Sequence, residues 1–140
     1  MTSLDDIVPA RYHDLLERPL YAVLGTVRPD NTAQASPMWF EFEPEAGEDG
    51  AGQLRFTHTT KRAKYRNLQH NPSMSLAIPD PEMPYRYVEV RGRLVEVIPD
   101  PTGAFYVRLG QRYGNAEQQP PKDSADRVIL VMSIEHSVHQ

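Results

Sequence analysis

The sequence predicts a mainly β protein: six strands with short helices between them, curled into a small closed or nearly closed barrel. Three observations carry this. Apolar residues come in short runs and alternations that suit strands. The 13 prolines fall mostly between those runs, where they mark turns. Helix-length connections are too few for an alternating parallel fold.

The elements follow in order. A short helix opens at Pro9, since proline suits the first helical position. Tyr12, Leu15 and Leu16 share its face by i, i+3, i+4 spacing, and Pro19 ends it. Tyr21–Val27 reads as a buried strand, and Arg28-Pro29-Asp30-Asn31 as a turn. Ala33–Glu43 is the second strand, with Met38, Phe40 and Phe42 on one face and Trp39, Glu41 and Glu43 on the other. Pro37 within it implies an edge or a bulge. The acidic, glycine-rich Glu45–Gln53 predicts a mobile hairpin tip, and Leu54–Thr57 a third strand. A helix follows over Lys61–Gln69, then a strand at Met74–Ile78 and a rigid link at Pro79–Pro84. Tyr85–Val97 is a long fifth strand in which Gly92 marks a bulge. Asp100-Pro101 is an N-cap and N1 pair for a helix reaching Tyr113, with Phe105 and Leu109 as its apolar pair. Gly114–Asp126 is a loop, and Arg127–Ser133 is the last strand, running on toward His136.

Composition narrows the function classes. The 140 residues make one domain, 1–140. With no cysteine, disulfides, thiolate metal sites and cysteine nucleophiles are excluded. The net charge of −4 and pI of about 5.7 argue against nucleic-acid binding. No apolar run approaches the ~18–20 residues of a membrane span. The polar, acidic start is unlike a signal peptide, so the expected location is cytoplasmic. His136 and His139 lack a third partner at metal-ligand spacing, so no metal is expected. No nucleophile elbow, phosphate-binding P-loop or dinucleotide fingerprint is present.

Three segments carry chemistry. The first is Thr59-Thr60-Lys61-Arg62-Ala63-Lys64-Tyr65-Arg66. A helix N-terminus carries free N–H groups and partial positive charge, and its first turn favours acids. This one carries Lys61, Arg62 and Lys64 instead, with two threonine hydroxyls beside them. Such a convergence forms an anion site, most naturally for phosphate; a solvated basic face is the competing reading. The second is Gln34-Ala35-Ser36-Pro37-Met38-Trp39-Phe40, where Pro37 frees backbone groups and Gln34 and Ser36 offer polar edges to a planar ligand. Core packing of a bulged strand is its alternative. The third is the strand from Tyr85, which sets Tyr85, Tyr87, Glu89, Arg91 and Arg93 on one side. That face suits a subunit interface, a ligand wall or plain solvent. His58, just before the threonines, is placed to line the same pocket.

Together with Ala22-Val23-Leu24-Gly25-Thr26-Val27, Asn67-Leu68 and Asn71-Pro72, these segments resemble, in order, the split-barrel flavin and deazaflavin oxidoreductases related to pyridoxamine 5′-phosphate oxidase. The branch they most resemble is that of the coenzyme F420-dependent enzymes. The resemblance runs from Leu15 to His136. It implies a six-stranded split β-barrel of Greek-key type and a homodimer with cofactor sites at the subunit interface. It assigns Arg62 and Lys64 to the cofactor phosphate, supported by Thr59, Thr60 and Lys61. It assigns Gln34, Ser36, Pro37, Met38 and Trp39 to the ring system, with Tyr85 and Tyr87 reaching in from the partner chain. One departure is Asp30-Asn31-Thr32, where relatives carry Asp-Gly; asparagine tolerates positive φ, so the turn is expected to persist.

The implied activity is hydride transfer between coenzyme F420 and a small electron-poor substrate. FMN is the alternative cofactor. A non-catalytic F420-, flavin- or tetrapyrrole-binding protein is the alternative of another class. No side chain reads as a dedicated proton donor.

Overall fold

The computed structural model describes residues 2–140. Two short helices, α1 (Leu4–Ile7) and α2 (His13–Glu17), precede the first strand. The four-residue α1, not expected from the sequence reading, opens on a capping box: the Ser3 N–H and hydroxyl both donate to Asp6. Tyr12, Leu15 and Leu16 are buried, as their spacing predicts. Then come β1 (Ala22–Val27), β2 (Ala33–Met38), β3 (Glu41–Glu43), β4 (Gln53–Thr59), α3 (Ala63–His70), β5 (Ser73–Pro79), β6 (Tyr87–Pro99), α4 (Ala104–Arg112), β7 (Arg127–Ser133) and β8 (His136–His139). No described helix is long and apolar enough to cross a membrane.

The mainly β class holds, but among the described residues the strand count is eight rather than six. Two breaks account for it. The expected second strand is interrupted at Trp39-Phe40, giving β2 and β3. The last strand stops at Ser133, and the chain after it turns back to pair with β6 as β8.

All pairings are antiparallel, in the order β2-β1-β5-β6-β7-β4-β3. The two ends of that order, β2 and β3, are separated in sequence only by Trp39 and Phe40. The sheet must therefore curl until its ends meet. The 13-residue β6 serves both halves: Tyr87–Arg93 pairs with β5 and Leu94–Pro99 with β7. Its register slips between Leu94 and Glu96, so the bulge lies at Val95 and not at Gly92. Gly92 has a different task. A Cβ there would overlap the Ser133 carbonyl oxygen, so glycine lets β6 pass the end of β7 backbone to backbone. The Arg28–Thr32 turn keeps its form, with Asn31 at φ +68° and Asp30 accepting from the Thr32 N–H at 3.0 Å.

Leu24, Phe40, Leu54, Phe56, Leu76, Val88, Val90, Leu130 and Met132 fill the interior, and Leu15 and Leu16 pack on the same core. Each such side chain contributes about 1.5–3 kcal/mol of burial. The interruption at Phe40 leaves a buried peptide without a sheet partner, and the end of α4 supplies one. Tyr113 Oη accepts from the Phe40 N–H at 3.1 Å and donates to the Leu20 carbonyl at 2.7 Å. Arg112 Nε donates to the Phe40 carbonyl at 3.0 Å, and the same guanidinium reaches the Arg18 carbonyl at 3.0 Å. α4 itself starts later than its sequence signal, at Ala104 after Gly103 (φ +72°), yet Asp100 still accepts from the first-turn Phe105 N–H at 3.1 Å.

Candidate functional site

The barrel has an open seam. β3 pairs only with Gln53–Arg55 of β4, so Phe56–Thr59 have a strand neighbour on one side alone, β7. β2 likewise has only β1. A cleft of about 420 Å³ lies here. Ser36, Pro37, Met38 and Trp39 form one wall and Thr57 and His58 the other. Arg62, Lys64, Arg127, Tyr21 and Tyr106 complete the lining.

The lining carries three cations, Arg62, Lys64 and Arg127. Among the described residues, neither Arg62 nor Lys64 has a carboxylate partner, whereas Arg127 holds Asp123 at 3.0 Å. Burial, and then the Arg62 charge, lower the Lys64 pKa from its ordinary value. Arg62 is the extended N-cap of α3, with no side-chain cap and no acid in the first turn. The α3 N-terminus therefore adds its own partial positive charge. Arg127 is only 8% exposed, and its guanidinium lies 4.9 Å from the Tyr106 ring centre. Beside it, His58 is 3% exposed. Burial first, then Lys64, Arg62 and Arg127, push its pKa down to about 4, so the ring is neutral at pH 7.

Aromatic rings also border the cleft. Trp39 stacks on Tyr113 with centroids 5.3 Å apart and planes 18° from parallel, and it lies 6.0 Å from Tyr106.

Buried polar atoms normally have partners. Ser36 Oγ, Thr57 Oγ1 and His58 Nε2 do not, and all three belong to the lining of this one cleft. Such a set of unpartnered groups, beside uncompensated cations and stacked aromatic rings, fits an anionic ligand with a planar ring.

The family model for pyridoxamine 5′-phosphate oxidase matches residues 8–139. The chain belongs to the pyridoxamine 5′-phosphate oxidase family. Among solved structures, an F420 reductase is 52% identical over 95% of this chain and 100% of its own, with a TM-score of 0.85. A conserved hypothetical protein of Mycobacterium tuberculosis is 22% identical over 99% of this chain and 89% of its own, with a TM-score of 0.67. A pyridoxamine 5′-phosphate oxidase-related, FMN-binding protein of Nostoc punctiforme is 16% identical over 91% of this chain and 80% of its own, with a TM-score of 0.63. These last two share the fold. No functionally curated protein matches the sequence. The split-barrel family read from the sequence is thus the one the chain belongs to.

Within this family member, six of the twelve expected site residues line the cleft: Ser36, Pro37, Met38, Trp39, Arg62 and Lys64. Gln34 lies behind them, its Oε1 accepting from Asn67 Nδ2 at 2.7 Å; the same amide donates to Thr26 at 3.2 Å, so Asn67 ties α3 to β1 and β2. Thr59 is buried and accepts from the Lys61 N–H at 3.3 Å, while the Thr60 N–H donates to the Asp126 carbonyl at 3.2 Å. These two shape the turn that presents Arg62. Lys61 precedes α3, which begins at Ala63 rather than Lys61. Tyr85 is exposed and Tyr87 lies on the outer side of β6; neither lines the cleft of its own chain. Sequence reasoning passed over Tyr21, Thr57, Tyr106 and Arg127. For Arg127 the i, i+4 pairing with Asp123 was the available signal, but it looks like a surface ion pair.

Proposed function

We propose that this chain is an oxidoreductase that binds coenzyme F420 in the seam cleft and passes hydride between it and a small electron-poor organic substrate. The observation that carries the reading is the cluster of unpartnered Ser36, Thr57 and His58 atoms beside the free cations Arg62 and Lys64. The 52% identity to a protein called F420 reductase favours the deazaflavin over FMN. Arg62 and Lys64 hold the phosphate, assisted by the α3 N-terminus. Thr59, Thr60 and Lys61 shape that turn, and Gln34 braces it through Asn67. Ser36 and Thr57 face the polar edge of the ring system, and Pro37, Met38 and Trp39 its plane. The cofactor supplies the hydride carrier; the chain supplies binding, orientation and exclusion of water.

Trp39 is the only tryptophan, so its fluorescence reports on the cleft alone. Titrating the apo-protein with F420 and FMN in parallel is expected to quench Trp39 more tightly with F420. Tighter quenching by FMN would make the chain an FMN oxidoreductase. Quenching by neither would overturn the reading, and binding without turnover of reduced F420 against a panel of acceptors would favour a carrier.

The site also draws on a homodimer in this reading. The outer face of β2, β1 and β5 is small and apolar around Val23 (39% exposed), Ala35 and Ala77; on the same side β6 and β8 add Glu89, Arg91 and Val138 (42% exposed), and Tyr85 at its margin is 68% exposed. Pairing two such faces covers this surface and brings Tyr85 and Tyr87 toward the neighbouring cleft. Light scattering coupled to sizing chromatography is expected to give twice the 15.9 kDa chain mass. A monomer at all concentrations would remove Tyr85 and Tyr87 from the site.

A further inference from the structure

His58 is a histidine in a place that an apolar residue would fill. It lies on the inward row of β4 with Leu54 and Phe56, which are both fully buried. The ring is itself 3% exposed, and its Nε2 has no partner. A buried polar atom costs stability unless something meets it, so a group aimed at this Nε2 has a position to fill.

The charged groups facing it come from α3, with its N-cap, and from β7 and the turn before it. Lys64 stands in the first turn of α3, Arg62 just before it, and Arg127 at the start of β7, whose Val128 pairs with His58. The one acid among them, Asp123, is already engaged by Arg127 at 3.0 Å. Three cations against one carboxylate oppose any positive charge on the imidazole. An anion in the cleft reverses this: it cancels the opposing charge and gives the ring an acceptor.

We propose that His58 contacts the anionic group of the ligand and takes up a proton as that group enters the cleft, so that filling the Arg62–Lys64–Arg127 cluster and charging one buried imidazole are a single event. The identity of the anion rests on the F420 reading above; the coupling does not. Linkage makes the effect reciprocal. An anion that favours the imidazolium must bind more tightly as pH falls, between the liganded pKa of His58 and the free value of about 4. Within that window the dissociation constant falls by up to about tenfold per pH unit. Above it, His58 is neutral in both states and contributes no slope. A neutral core histidine with a packing role alone would show no such slope.

The test follows the five histidine rings by heteronuclear NMR, with His58→Gln used to assign the His58 signal. Two pH titrations, in chloride and in sulfate, are run on the whole chain, and a third with F420. His58 is expected to titrate near 4 in chloride and about two units higher with sulfate or F420. In Arg62→Ala/Lys64→Ala the sulfate effect should vanish. Binding of F420, read from Trp39, should steepen with falling pH in the native chain relative to His58→Gln, a difference that removes the titration of F420 itself. An unchanged His58 signal with bound F420 would overturn the proposal while sparing the function. No response to sulfate, F420 or FMN would overturn it too. A sulfate-dependent rise without any Trp39 quenching by F420 or FMN would sustain the coupling and sink the cofactor assignment.

Discussion

Replacing Arg62 and Lys64 together with alanine should weaken cofactor binding by about 10²–10⁴-fold. Hydrogen bonds to a charged partner are worth about 1.5–3 kcal/mol each, and every 1.4 kcal/mol is a factor of ten. Neither cation has a carboxylate partner among the described residues, so no ion pair within the fold is lost. Lys64 is held below its ordinary pKa by burial and by Arg62, so its removal relieves repulsion. The double variant should therefore keep or slightly raise its melting temperature while Trp39 quenching is lost. Native-like binding in that variant would place the anion elsewhere. Lost binding with a collapsed melting temperature would make these residues structural.

Replacing Arg112 with alanine should cost about 3 kcal/mol of folding stability. Phe40 is fully buried, and its carbonyl lies outside the paired segments of β2 and β3. The guanidinium satisfies it at 3.0 Å and also bonds the Arg18 carbonyl. A buried acceptor left alone costs about 1–3 kcal/mol, and the removed stem leaves a packing defect as well. Tyr113→Phe should cost about 2 kcal/mol by the same reasoning, because its hydroxyl serves both Phe40 and Leu20. Urea denaturation measures both. A cost below about 1 kcal/mol for Arg112→Ala would mean that water or a neighbour replaces it. Trp39 stacks on Tyr113, so its emission should also shift in the Arg112 variant even where the protein remains folded.

The legible parts of this molecule are those set by neighbours in sequence. Alternation of Val88 and Val90 with Tyr87, Glu89 and Arg91 fixes which face of β6 is buried. The cations Arg62 and Lys64 stand out at the start of α3 because helix polarity is a local property, and both line the cleft. The break at Trp39-Phe40 is hidden for a physical reason. Phe40 and Phe42 are both buried, so the apolar period continues across the interruption, and only Pro37 hints at it. β8 is invisible because its four residues gain strand character only from β6, far upstream. Arg127 becomes a cleft residue through Tyr106, and His58 becomes isolated through α3 and β7; neither circumstance is written near the residue itself. Tertiary neighbours decided these features.

The strand order has a consequence for the nascent chain. β1 finds its second partner only when β5 is made, and β4 waits for β7, since Leu54 lies opposite Met132. Pairings this distant in sequence form slowly, because loop closure precedes any reward. The link that joins the two ends of the sheet, Trp39-Phe40, is synthesised well before its clasp: Arg112 follows Phe40 by 72 residues and Tyr113 by 73. The barrel can therefore close only once α4 and β7 have been made, and until then Leu54 and Phe56 lack part of their cover.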